Sequence, residues 1–121
     1  MNSQVSPWLA EIVIAGLDDW ILSTNVLGVL SRSGVTDSEI LRGLWIGVVA
    51  EGVCRGLIEP GEIVDDSFVA WNLPFSDSLH DIIERLDRVG IDKLGLGDVC
   101  WFQTTPQGDA LAESLLEART E

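Results

Sequence analysis

One histidine, two cysteines and two adjacent carboxylate pairs are the residues in this 121-residue chain whose types could do chemistry. A Ser-His-Asp or Cys-His relay would have to use His80, the single histidine. It follows Leu79 at the rim of a helical pattern, near Asp77 and Glu84, and reads as a surface side chain. His80 and Glu84 stand four apart and could share a metal, but two ligands are too few. The sequence adds no second histidine and no CxxC pair. Asp18-Asp19 and Asp65-Asp66 could do acid–base work if burial pushed their pKa values apart. Neighbours in sequence point in different directions, so each pair reads as a capping or solvated group. Gly95-x-Gly97 is too short for a dinucleotide fingerprint, and there is no Walker sequence. Cys54 and Cys100 lie far apart in apolar contexts and are expected to be reduced, buried thiols. The expectation is a protein without catalytic residues, metal or cofactor.

Charge points elsewhere. Twenty Asp and Glu against seven Lys and Arg give a net charge of −13. A compact body this acidic repels phosphate backbones and anionic membranes and attracts basic proteins. Glu59, Glu62, Asp65 and Asp66 fall within eight residues that contain no cation, and Asp77, Asp81, Glu84 and Asp87 follow, partly offset by Arg85 and Arg88. Trp71 and Phe75 are interleaved with these acids. Aromatics set among carboxylates suit a patch for a basic protein, where tryptophan anchors contribute disproportionately. The competing reading is that Phe68 and Trp71 fold back as a lid on the core.

These residues must be positioned by a scaffold that is mostly helical. With 46% hydrophobic residues, a chain of this length can bury a core without staples and is expected to form one domain over residues 1–121. Trp8, Leu9, Ile12, Val13, Leu17, Trp20 and Ile21 recur at helical spacing behind Ser6-Pro7, and the pattern runs on towards Leu30, with Asn25 and Gly28 as candidate breaks. Thr36-x-x-Glu39 reads as a capping box for a helix ending at Gly56. Gly43 and Gly47, four apart on it, suggest close approach of a neighbour, and its small apolar face is compatible with a homodimer. Pro60-Gly61 reads as a turn, Ile63-Val64 as a short strand, and Phe68 to Phe75 as irregular. Ser76 or Asp77 caps the next helix, with Leu79, Ile82, Ile83, Leu86 and Val89 buried. Its wet face carries the supportive pairs Asp81–Arg85 and Glu84–Arg88. Val99 to Thr104 is a strand, and Thr105-Pro106 opens a last helix with Ala110, Leu111, Leu115 and Ala118 inward. Trp8, Trp20, Trp45 and Trp101 are assigned to the core.

The fold class is therefore mainly α with a small β element (α+β): four to five helices and a two- or three-stranded sheet. The Met1-Asn2-Ser3-Gln4 start carries no basic residue, so no secretory leader is expected. The longest apolar run, Ile12 to Leu17, is too short to span a bilayer, and a cytoplasmic location is expected.

The stretch from Val99 to Leu111, with its strand running into Thr105-Pro106-Gln107-Gly108, resembles the end of a winged-helix domain, and Leu57-Ile58 after a helix looks like the point where such domains leave their third helix. That resemblance implies a winged-helix-like fold and a transcriptional regulator or adaptor. The candidate reading helix, Asp37 to Arg55, departs from the family's basic pattern: Arg42 and Arg55 face Asp37, Glu39 and Glu51, and the outer face is small and apolar. By type alone, a small acidic protein without chemistry also resembles bacterial immunity proteins and antitoxins, which neutralise a basic toxin by covering it. The leading expectation is such a protein. It would present Glu59, Glu62, Asp65, Asp66, Trp71, Phe75, Asp77, Asp81 and Glu84 to a basic partner, and would bind neither nucleic acid nor membrane.

Overall fold

A computed structural model describes residues 5–120, so the leader reading of Met1 to Gln4 lies outside the described residues. In chain order the elements are α1 (Pro7–Ala15), β1 (Ile21–Leu22), α2 (Ser23–Arg32), α3 (Ser38–Cys54), β2 (Ile58–Val64), β3 (Ser67–Ala70), α4 (Phe75–Val89), a 3-10 turn (Ile91–Lys93), β4 (Trp101–Thr104) and α5 (Pro106–Thr120). The α+β class stands, with a sheet one strand larger than expected. The four strands are all antiparallel, in the order β1-β4-β2-β3. None of the helices among the described residues is long and apolar enough to cross a membrane.

α1 begins as its sequence predicts: Ser6 Oγ accepts from Leu9 N at 3.1 Å and Pro7 opens the first turn. It does not run to Ile21. The chain leaves the helix at Gly16, where an added Cβ would stand 2.5 Å from Thr104 Cγ2. Ile21 and Leu22 then pair with Phe102 and Trp101 of β4. A tertiary strand contact thus outweighs the helical periodicity of Leu17, Trp20 and Ile21. Asn25, read as a break, instead helps to start α2: its side-chain oxygen accepts from Leu22 N at 2.7 Å. The cap of α3 is Asp37 rather than Thr36, with Oδ1 accepting from Ile40 N at 3.0 Å.

The largest departures lie between Pro60 and Pro74. Pro60-Gly61 is not a turn but the middle of β2, and Phe68 to Ala70 is a strand. The turn is Asp65-Asp66, both at positive φ (51° and 63°), joining Val64 to its partner Ser67. A two-residue loop with both φ positive is the type I′ turn, whose twist matches the flanking strands. Pro60 is tolerated because its missing N–H faces Trp71, beyond the end of β3, and its carbonyl still accepts from Trp71 N at 3.0 Å. Gly61 is required because a Cβ there would collide with the Val69 carbonyl and lie 2.6 Å from Phe68 Cζ. α4 starts at Phe75 behind Pro74, ahead of the expected caps Ser76 and Asp77.

Side chains of paired residues share a face, and faces alternate along a strand. Ile21, Ile58, Pro60, Phe102 and Thr104 form the buried face. Against it pack Leu9, Ile12 and Val13 of α1, Val26 and Leu30 of α2, and Trp45 and Val49 of α3. Ile82 and Leu86 of α4 and Ala112 of α5 complete this core. In α4, Ser78, Ile82 and Leu86 are the buried positions, with Leu79, Ile83 and Val89 half-buried. In α5, Gly108 and Ala112 are buried, while Ala110 and Ala118 face solvent rather than the core.

Candidate protein-binding surface

The sheet has a second face, and no helix buries it. Trp20, Leu22, Trp101, Gln103, Glu59, Ile63, Phe68 and Ala70 alternate outward, and all are half-exposed; Gly61, beneath the Phe68 ring, is buried. Trp20 meets Trp101 edge-on, with centroids 6.0 Å apart and planes at 84°. An antiparallel sheet with one solvated face usually alternates polar residues onto it. Here that face carries two tryptophans, a phenylalanine, an isoleucine and a leucine. Of the four tryptophans assigned to the core, Trp45 alone is fully buried. Trp8 is half-buried, with Nε1 donating to Ser33 Oγ at 2.7 Å.

Acids flank the aromatic face. Beside Trp20 lies a cleft of about 430 Å³ lined by Gly16, Leu17, Asp18, Asp19, Gln103, Thr104 and Asp109. Asp18 and Asp19 are exposed, and Asp109 accepts from Thr104 Oγ1 at 2.5 Å. No Lys, Arg or His lines this cleft. His80 sits elsewhere, on α4, with its side chain 76% exposed and Nδ1 3.8 Å from Asp81. Among the described residues no group of three or more His, Cys, Asp or Glu is arranged to hold a metal.

The nine residues singled out from the sequence fall into separate groups. Asp65 and Asp66 are exposed at the tip of the β2–β3 hairpin. Glu59 sits on the outer sheet face opposite Gln103. Glu62 and Trp71 are brought together, but by a cation: Glu62 Oε2 accepts from Trp71 Nε1 at 2.9 Å and from Arg85 at 2.8 Å. The Arg85 guanidinium stands 4.6 Å from the Trp71 ring centroid and also donates to the Val99 carbonyl at 3.0 Å. Trp71 therefore packs against the core as a lid, with Glu62 ion-paired to Arg85, whereas Phe68, expected in the same lid, lies on the outer sheet face. Arg85 is committed there, so the expected Asp81–Arg85 pair does not form, whereas Glu84 and Arg88 pair at 3.7 Å. Phe75 stays 38% exposed in the first turn of α4. Asp77, Asp81 and Glu84 line one flank of that helix, spaced four and three residues apart.

The three groups with shifted pKa values, Cys100, Asp87 and its partner Arg42, lie outside the cleft. Burial, with the Glu62 charge nearby, pushes the Cys100 thiol up to about 12. Paired hydrogen bonds from Arg42, at 2.7 and 2.8 Å, hold the Asp87 carboxyl below its ordinary value. Cys54, expected to be buried, is exposed at the end of α3, and both thiols are free.

Sequence reasoning missed Trp20, Trp101 and Phe68 as surface residues. The available signal was the alternation of β4, in which Phe102 and Thr104 occupy one parity and Trp101 and Gln103 the other. Comparison with known proteins found no matching family model, no matching curated protein and no matching solved structure.

Proposed function

We propose that this chain is a non-enzymatic binding protein of the immunity or antitoxin type, which takes a basic protein partner on the outer face of its sheet. The observation that carries the reading is the half-exposed aromatic row Trp20–Trp101–Phe68, bordered by Asp18, Asp19, Glu59 and the Asp65-Asp66 turn. Aromatic side chains supply desolvated contact area, and the surrounding carboxylates steer a positively charged partner onto it. Five of the seven cations are already held in ion pairs: Arg42–Asp87, Arg55–Glu51, Arg85–Glu62, Arg88–Glu84 and Arg119–Glu11. The surplus negative field therefore goes largely uncompensated. An aromatic sheet face can also stack nucleic-acid bases, but that use needs a basic groove along the phosphates. This face is bordered by acids instead. A winged-helix-like regulator would meet the same difficulty on α3, where Arg42 is tied to Asp87 and Arg55 to Glu51.

The test is affinity capture from the native cell at low salt with the wild-type chain and with Trp20→Ala, followed by titration of the purified partner. A basic protein forming a defined complex, weakened at least tenfold by Trp20→Ala at unchanged thermal stability, is the expected result. Recovery of nucleic acid in place of a basic protein would overturn the reading.

A further inference from the structure

The outer edge of the sheet is open. β3 ends the strand order, and its one extensive neighbour is β2. In an antiparallel ladder, opposite residues alternate between exchanging backbone hydrogen bonds and pointing them away. Trp71 N bonds Pro60 O at 3.0 Å, which fixes the parity. Val69 and Ser67 bond inward to Glu62 and Val64, so Phe68 and Ala70 turn their N–H and C=O groups to the free edge. Native sheets usually blunt such an edge with a very short strand, lysine, proline, a bulge or a covering element, and β3 is short, at four residues. Ser67–Ala70 contains no charge and no proline. Within the strand or no more than five residues from it in sequence are four of the exposed large apolar side chains: Val64 (50%), Val69 (50%), Leu73 (44%) and Phe75 (38%). From Gly56 to Glu84 the chain has seven carboxylates and no Lys or Arg.

Resting on the function proposed above, we infer that the basic partner presents an extended, Lys- or Arg-bearing segment that adds to β3 as a fifth strand. Four outward backbone groups, on Phe68 and Ala70, receive it. Residues of the segment opposite Phe68 and Ala70 join the outer aromatic row. The residue opposite Val69 turns to the helix side. Basic positions towards the hairpin tip face Asp65 and Asp66. Beyond Ala70 the left-handed Asn72 (φ 55°) takes the chain out of the strand, which limits the added pairing to a short segment. A second copy of this chain could offer an edge of the same shape, but each copy carries −13 and self-pairing would bring two strongly acidic bodies together. Charge selects the basic segment.

The probe is a ten-residue peptide alternating Lys with Val, titrated at low salt, with amide hydrogen exchange read at Phe68 and Ala70. Binding with at least tenfold slower exchange at those two amides is expected. N-methylation of the alternate peptide nitrogens that face the chain should weaken binding at least tenfold. So should Ala70→Pro, which removes an outward N–H without breaking a β2–β3 bond, at unchanged melting temperature. The N-methylated peptide keeps the inference testable should Ala70→Pro fail to fold. A Glu/Val peptide should not bind. If the Lys/Val peptide does not bind, or binds equally when methylated, strand addition is overturned, while the native-cell capture and its Trp20→Ala dependence still judge the binding function. Dimerisation of the chain alone, abolished by Ala70→Pro, would give the edge to a second copy and likewise overturn it.

Discussion

Asp65 and Asp66 carry charge and a left-handed backbone at once, and mutation can separate the two. Asn-Gly is the preferred pair for a type I′ turn. Asp65→Asn with Asp66→Gly should leave stability unchanged or raise it by up to about 1 kcal/mol in denaturant unfolding. Asp65→Lys with Asp66→Lys should lower it by about 1 kcal/mol or more, because lysine lacks the short polar side chain that eases positive φ. Arg42–Asp87 yields a pH prediction. The Asp87 carboxyl binds its proton more weakly in the folded state than in the unfolded chain. Its contribution to stability is complete above the unfolded pKa and is lost as pH falls through the folded one. The stability gap between the wild type and Asp87→Asn should therefore be widest near neutral pH and close as pH falls below about 4. The two thiols should also separate: iodoacetamide should label exposed Cys54 in the native protein and spare Cys100 until unfolding, read by peptide mass.

Elements dock through glycines that look alike in sequence and differ in space. Thr105 Oγ1 caps α5 through Gly108 N at 3.0 Å and donates to the Gly56 carbonyl at 2.5 Å, while Thr105 N bonds Leu57 O at 3.0 Å. This seats the start of α5 on the exit from α3, and a Cβ on Gly108 would be driven into the Leu57 carbonyl. Gly108→Ala should therefore destabilise by roughly 3 kcal/mol or more. Gly43 and Gly47 of α3, expected to admit a close neighbour, have open space around an added Cβ. Alanine at each should stabilise by roughly 0.5–1 kcal/mol through helix propensity alone. Thermal melts of the three variants give opposite signs if the packing is as described.

At the scale of the whole molecule the field decides what can approach. The aromatic face would accept many planar groups, but a net charge of −13 sorts them by sign. The association rate with a basic partner should fall steeply as salt rises, because the border carboxylates are exposed and screened over about 10 Å at 0.1 M. Duplex DNA should show no gel shift at moderate salt. A sequence-selective shift would favour the winged-helix-like regulator that Val99 to Leu111 resembles.

Charge, most of the helix stripes and some helix ends were legible in the sequence, because each depends on local residues: Ser6-Pro7, Thr105-Pro106 and the glycine stop at 56. Trp20, Trp71, Pro60 and Arg85 were not legible. Helical period and strand pairing compete for the segment around Trp20, and β4, 80 residues away in sequence, wins it through Ile21 and Leu22. Pro60-Gly61 has the composition of a turn, yet its neighbours in space make it a strand. Arg85 had a local partner one turn away and took Glu62, Trp71 and the Val99 carbonyl instead. Sequence alone determined how much charge and apolar surface this protein has; tertiary structure decided which apolar residues remain outside, because the exposed face of a sheet is set by the register of strands distant in the chain.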